Sequence, residues 1–311
     1  MTTKPAAPAP APEPVRWGFL GAGWIARTSL APATHAADGA VLHAVAARDA
    51  ERAARLRPAG PVYSSYDALL ADPDVDAVYI SLTNEVHARW SVAAMRAGKH
   101  VLCEKPLALN TAEVDEMTRV AQDTGRLLVE ASWYRWHPRV RAAQQAIAER
   151  AVGTVRHAAA GFTFAGQLAG NYRLEPERGG GALYDVGCYA VSAALWAFGQ
   201  PVRDVVSRQE LGATGVDLVT EAVLRFDDGE AEIRAGIDEP ARQWIVVTGD
   251  RGEIELRDAA FTSWVEDETT MLVSDGRSTR RETFPPTDPY RLMVEEMSSV
   301  ARGGAGWVLP L

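Results

Sequence analysis

Residues 15–26 read Val15-Arg16-Trp17-Gly18-Phe19-Leu20-Gly21-Ala22-Gly23-Trp24-Ile25-Ala26. A short apolar run of β-prone residues ends in a glycine turn, and the chain that follows has helical composition. The G-x-G-x-x-A spacing gives each small residue a task. Gly21 makes the tight turn, Gly23 lets a pyrophosphate approach the backbone, and Ala26 allows close packing of helix on strand. The unpaired N–H groups at the start of such a helix, together with its dipole, attract phosphate. The spacing alone would also suit a glycine turn that binds nothing; placed between strand and helix, it predicts a Rossmann unit holding a nicotinamide dinucleotide.

Working outward, β-rich runs at 15–20, 41–47, 77–82, 100–104 and 127–131 alternate with segments of helical composition. That alternation predicts a parallel sheet covered on both faces. Asn110 with Glu113 resembles a capping box, Gly125 stands where a C-cap belongs, and Met117, Val120 and Ala121 form one apolar face between them. Another helix is expected from an Asn84 cap to a Gly98 stop. Beyond residue 150 the pattern changes: Ala231, Ile233, Ala235 and Ile237 alternate with polar residues or glycine after an Asp227-Asp228-Gly229 turn, and residues 253–256 alternate after Gly249-Asp250-Arg251-Gly252. Helical segments at 184–198 and 289–302 interrupt this sheet. The expected fold class is therefore α/β, an N-terminal Rossmann domain followed by a C-terminal α+β domain with a large, mostly antiparallel open sheet. The expected divisions are a disordered Ala/Pro-rich tail at 1–14, a dinucleotide-binding domain at 15–131, and a substrate-binding and oligomerisation domain at 132–311.

A chain of 311 residues accommodates about two domains of ordinary size. The formal charge of −9 provides no basic field for a phosphodiester backbone, so nucleic acid is not an expected partner. Cys103 and Cys188 are the two cysteines, far apart and without ligand spacing, so neither a disulfide framework nor a metal site is expected. The N-terminal run lacks the apolar core of a signal peptide, and no later stretch reads as a membrane span. A soluble, cytoplasmic protein without a membrane partner is expected.

The end of the second strand, Ala46-Ala47-Arg48-Asp49, bears on the dinucleotide. Arg48 suits a 2′-phosphate and favours NADP; the alternatives are NAD, with Asp49 against the ribose, or an arginine that merely opens the next helix. At the end of a later strand, Glu104-Lys105-Pro106 brings a lysine to the ligand side of an open α/β sheet, with a proline that bends the chain and is a candidate cis residue.

These segments resemble the glucose-fructose oxidoreductase, inositol dehydrogenase and MocA-like family (Gfo/Idh/MocA). The resemblance is carried by the glycine turn, by Ser81-Leu82-Thr83-Asn84-Glu85-Val86-His87, by Glu104-Lys105-Pro106, and by Gly179-Gly180-Gly181-Ala182-Leu183-Tyr184-Asp185-Val186-Gly187-Cys188-Tyr189. It implies that Gly21, Gly23, Trp24, Ile25, Arg48, Ser81, Leu82, Asn84, His87, Glu104 and Lys105 line the cofactor. It also implies that Lys105 acts at the reacting oxygen and that Asp185 positions it. Much of the family ends the last motif in histidine; here it is Tyr189, as in the subgroup similar to D-xylose dehydrogenases, dihydrodiol dehydrogenases and deoxysugar ketoreductases. Residues 130–138, with Trp133 and Arg135, and the pair Tyr172-Arg173 point to the same subgroup and are candidate substrate contacts. Thr83 departs from the proline frequent at that position. The chain also ends early for the family, whose members usually continue with another helix; it is either a fragment or has a reduced domain contact, and lowered stability is expected.

Hydride transfer to a carbonyl leaves an oxygen that needs a proton, and the reverse reaction must remove one. Tyrosine ionises near pH 10 and is a poor base at neutrality unless an ammonium stabilises its phenolate. Lys105 beside Tyr189 is such a pair, and Asp185, four residues before Tyr189, shares its helix face. In isolation, Asp185 and Tyr189 read better as a cap and a core residue; the upstream motifs reverse that preference. His137 reads as structural, and Cys188 as packing. The expected function is hydride exchange between NADP and a secondary alcohol, hemiacetal or ketone of a sugar or cyclic polyol, in a homodimer or homotetramer. The alternatives are a nucleotide-sugar ketoreductase and a non-catalytic NADP-binding sensor.

Overall fold

The computed structural model describes residues 13–310 apart from 167, 168, 258, 263 and 264, so most of the expected N-terminal tail lies outside the described residues. The first sheet is formed by β1 (Val15–Leu20), β2 (Ala40–Ala46), β3 (Val62–Tyr63), β4 (Ala77–Ile80), β5 (His100–Cys103) and β6 (Leu128–Glu130). Its order is β3-β2-β1-β4-β5-β6 and every pair is parallel. The order reverses between β1 and β4, which opens a crevice at the strands' carboxyl ends. All four residues of β4 are buried, as a strand covered on both faces requires. The short β3 carries too little apolar pattern to be seen in the sequence.

The second sheet comprises β7 (Val155–Ala165), β8 (Asp204–Leu211), β9 (Asp217–Arg225), β10 (Glu230–Gly236), β11 (Asp238–Gly249), β12 (Glu253–Leu256), β13 (Thr269–Ser274) and β14 (Thr279–Phe284), in the order β14-β13-β12-β11-β7-β10-β9-β8. All pairs are antiparallel except β7 with β10, so the fold is α/β with a mostly antiparallel second sheet. Its inner face buries Ala158, Ala160, Ile233, Ile245 and Val247, while β8 is exposed along its whole length.

The helices are α1 (Ala31–Ala36), α2 (Ala50–Ala54), α3 (Tyr66–Leu70), α4 (His87–Arg96), α5 (Thr111–Thr124), α6 (Pro138–Ala148), α7 (Cys188–Phe198) and α8 (Pro289–Ala301). On α5 the Asn110 side chain accepts from the Glu113 amide and Gly125 ends the helix in the left-handed region, φ 64°. Glu113 reaches back to the amide of Leu109, one residue before the partner a capping box would use. Alanines 190, 193, 194 and 197 bury one side of α7 in the core shared with β7; small side chains let helix and sheet approach closely. The stretch Pro176–Phe198 is long and apolar enough by composition to cross a membrane, which the sequence reading overlooked. It is interrupted at 179–181, and 61% of its most apolar window is buried within the protein, so its apolarity serves the core.

Packing from the end of the chain crosses the expected boundary at 131/132. Helix α8, from the end of the chain, packs on the first sheet: Trp17 on β1 donates through its indole to Ser298 at 3.0 Å, and Met293 and Met297 are buried in the same cluster. The first sheet therefore draws part of its cover from beyond residue 288. Replacing Asn110 by alanine removes the acceptor at the head of α5 and should cost about 1 kcal/mol, read as a lowered urea midpoint with an unchanged slope.

Candidate functional site

The glycine turn lies at the crevice between β1 and β4. Gly21 has φ 100°, and a Cβ there would stand 2.5 Å from the Ser81 carbonyl oxygen, so only glycine lets the turn pass the end of β4. At Gly23 a Cβ would meet only Ser81, no closer than 3.4 Å, leaving the approach to the backbone open. The chain is helical from residue 24, runs through a π turn at Ala26–Leu30 with Ala26 fully buried, and continues as α1. Ser81, Leu82 and Ile25 are half-buried around the turn and Trp24 is 69% exposed. An open glycine backbone at a helix start fits a dinucleotide pyrophosphate.

Arg48 is exposed beyond the end of β2. Asp49 accepts from the Arg52 amide and caps α2, so its side chain is engaged by the helix. Arg52, not anticipated from the sequence, donates to the Ala22 carbonyl of the glycine turn at 3.0 Å.

Lys105 follows β5 and is joined to Pro106 by a cis bond. Its Nζ donates to the Asp185 carbonyl oxygen at 2.7 Å, lies 3.5 Å from the Asp185 carboxylate, and sits 5.1 Å from the centre of the Tyr189 ring. Asp185 belongs to a π turn, Leu183–Gly187, that runs directly into α7. The turn is anchored by Asp217 of β9, which accepts from the Leu183 amide at 2.8 Å. Gly181, at φ 109°, permits this because a Cβ would fall 2.0 Å from that carboxylate. The second Asp185 oxygen accepts from Arg173 Nε at 2.6 Å, and the Arg173 guanidinium lies 5.2 Å from the Tyr172 ring centre.

Burial pushes the Asp185 carboxyl up, but Lys105 and Arg173 outweigh it and hold its pKa below the ordinary value. Burial also opposes the Lys105 charge, yet Tyr189 and Asp185 leave its pKa well above normal, so it is an ammonium. Tyr189 moves upward: burial outweighs the lowering effect of Lys105, and the resting group is a neutral phenol. The ammonium faces the ring of Tyr189, while the phenol oxygen accepts from the Trp133 indole at 3.0 Å.

Other candidate residues have partners within the protein. Asn84 is not a helix cap; Thr83 precedes the 3-10 turn, and Asn84 donates across the cleft to the Gly179 carbonyl at 2.9 Å. His87 is fully buried, its ring nitrogens 2.8 Å from the Pro106 carbonyl and 3.1 Å from that of Leu82. Burial lowers its pKa, and the ring ties two loops together. The buried Glu104 carboxylate accepts from the Tyr79 hydroxyl at 2.7 Å and faces the Lys105 amide at 3.3 Å. Arg135 donates to Ser192 at 3.3 Å and lies 5.9 Å from the Trp307 ring centre. His137 caps α6 by accepting from the Arg139 amide.

A glycine turn at a Rossmann switch point, faced across a cleft by a buried lysine, carboxylate and tyrosine, defines a two-part dinucleotide-dependent oxidoreductase architecture. The chain belongs to the Gfo/Idh/MocA oxidoreductase family: its NAD-binding Rossmann model matches residues 15–132 and its C-terminal domain model residues 140–255. A D-xylose 1-dehydrogenase (NADP(+)) of Haloferax volcanii is 36% identical over 93% of this chain and 89% of its own. A trans-1,2-dihydrobenzene-1,2-diol dehydrogenase of Xenopus laevis is 31% identical over 88% of this chain and 83% of its own. Among solved structures, a 3-ketoreductase from Actinomadura kijaniata in complex with NADP and TDP-benzene superposes with a TM-score of 0.85 at 28% identity, covering 95% of this chain and 92% of that one.

A carboxylate whose folded pKa is depressed adds stability above its unfolded pKa, near 3.9, and loses it as pH falls through the folded value. Asp185→Asn should therefore lower stability at pH 7 by about 3 kcal/mol, since it leaves Lys105 and Arg173 poorly compensated. The gap to the parent protein should narrow below about pH 4 in denaturation curves recorded across that range.

Proposed function

We propose that the protein is an NADP-dependent oxidoreductase acting on a secondary alcohol, hemiacetal or ketone of a sugar or related cyclic polyol. The observation that carries this reading is the Lys105 ammonium, held by Asp185 against the face of Tyr189 at the carboxyl end of the Rossmann sheet. Gly21, Gly23 and the helix start after them would hold the pyrophosphate; Arg48, exposed beyond β2, and Arg52, bonded to the Ala22 carbonyl of the turn, would hold a 2′-phosphate. When bound, the nicotinamide supplies or accepts the hydride. Lys105 directs two of its N–H bonds at Asp185 and keeps a third for the substrate oxygen, whose developing negative charge it stabilises. Tyr189 gives that oxygen its proton in reduction and removes it in oxidation. Asp185 and Arg173 hold the lysine in place, and Tyr172 borders them. Trp133, nearly buried, reaches the substrate side through Tyr189.

NADP over NAD is supported by the two arginines and by the NADP-dependent relatives. A nucleotide-sugar ketoreductase is the second reading, favoured by the overall likeness to the enzyme bound to TDP-benzene. A homodimer or homotetramer is supported by the exposed Val205, Val206 and Leu211 on the edge strand of the second sheet. A cytoplasmic location accords with a reaction that draws on the cell's dinucleotide pool.

An absorbance assay with NADP and NAD against aldoses, inositols, dihydrodiols and keto sugars tests the reading directly. Lys105→Met and Tyr189→Phe should each lower kcat by at least about a hundredfold while NADPH affinity changes little. Full turnover in both variants, or stoichiometric NADPH binding with no turnover on any of these substrates, overturns the proposal. Arg48→Ala combined with Arg52→Ala should raise KM for NADP about a hundredfold and leave that for NAD nearly unchanged, a loss expected for two charge-assisted contacts.

A further inference from the structure

Trp133 heads a 3-10 turn, Trp133–Trp136, just after β6 and is almost completely buried. Its Nε1 donates to the Tyr189 oxygen at 3.0 Å. An indole N–H can only donate, so in this bond the phenol oxygen can only accept. Among the described residues no acceptor takes the phenol's own proton. We infer that Trp133 is a positioning residue: it occupies a lone pair of Tyr189 and leaves the phenol O–H to be donated to the substrate oxygen. This inference rests on the reading of Tyr189 as the acid/base group.

The indole is itself fixed from the other side. It stacks on Tyr290 of α8, with ring centres 4.9 Å apart and planes inclined by 22°. Tyr290 is buried, and Ser29, in the π turn that follows the glycine turn, lies close to its hydroxyl. A continuous path thus runs from the cofactor helix through Tyr290 and Trp133 to the phenol that carries the proton. In reduction the Tyr189 O–H bond breaks, the proton goes to the substrate oxygen, and the phenolate is left with the indole N–H still pointed at it. In oxidation the same bond re-forms with the substrate's hydroxyl proton.

The charged and titratable groups around Tyr189 are Lys105, Glu104, Cys188, Arg173, Tyr134 and Tyr290, and substitution at 133 removes none of them. Trp133→Phe keeps an aromatic ring on Tyr290 and deletes the N–H. Because the indole favours the phenolate, its loss should move the pH limb of kcat for alcohol oxidation upward by about one unit. At any pH below that limb kcat should fall roughly tenfold, with KM and NADPH affinity within about twofold. Benzothienylalanine at position 133, a bicyclic ring without the N–H, should behave identically, and it serves as the test if Trp133→Phe does not fold. An unchanged limb and kcat, or a raised KM with an unmoved kcat, overturns the inference while Tyr189→Phe remains inactive. A fully active Tyr189→Phe overturns the acid/base reading beneath it.

Discussion

An ammonium withdrawn from water at a strand end must find acceptors nearby, and Lys105 finds them on the other half of the molecule. Its partners are the carbonyl and carboxylate of Asp185, in the turn that leads into α7. Desolvation of such a charge costs several kcal/mol unless it is met by well-placed oxygen, so the two sheets have to stand at a fixed separation. Other bonds span the same gap: Asn84 to the Gly179 carbonyl at 2.9 Å and the Tyr184 hydroxyl to the Leu109 carbonyl at 2.6 Å. The site is thus also the joint, and its residues position the sheets that position them.

The balance of charge there follows from the same geometry. Lys105 and Arg173 are two cations around one ionised carboxylate, while burial pushes the nearby Glu104 carboxyl pKa upward. The Lys105 ammonium stands closest to the neutral phenol of Tyr189, facing its ring. A positive charge held in a place of low polarisability stabilises negative charge on an incoming oxygen more strongly than water would.

Much of this was legible in the chain because local rules suffice for it. The glycine turn, the Asn110 and Gly125 caps, and the alternation of Ala231, Ile233 and Ala235 each depend on neighbours in sequence, and each appears where the pattern put it. Lys105, Asp185 and Tyr189 converge because a strand end and a helix start are themselves local events. The cap expected at Asn84 falls at Thr83, and the partners of Asn84, His87 and Arg135, namely Gly179, Pro106 and Ser192, were not legible because they come from distant segments that no local rule connects. Arg52 escaped notice because its acceptor is a backbone carbonyl, which leaves no compositional trace. The position of α8 was hidden for a related reason, since an apolar helix face does not name the sheet it covers.

That position has a bearing on how the chain comes to be folded during synthesis. Trp17 lies in β1, yet its indole partner, Ser298, is made 281 residues later. That strand waits for all of them before its flank is covered, and so the first sheet can begin to form early but closes late. Contacts of such sequence separation slow folding and prolong the exposure of apolar surface. The helix that completes the cofactor sheet is thus also the latch on the newborn protein.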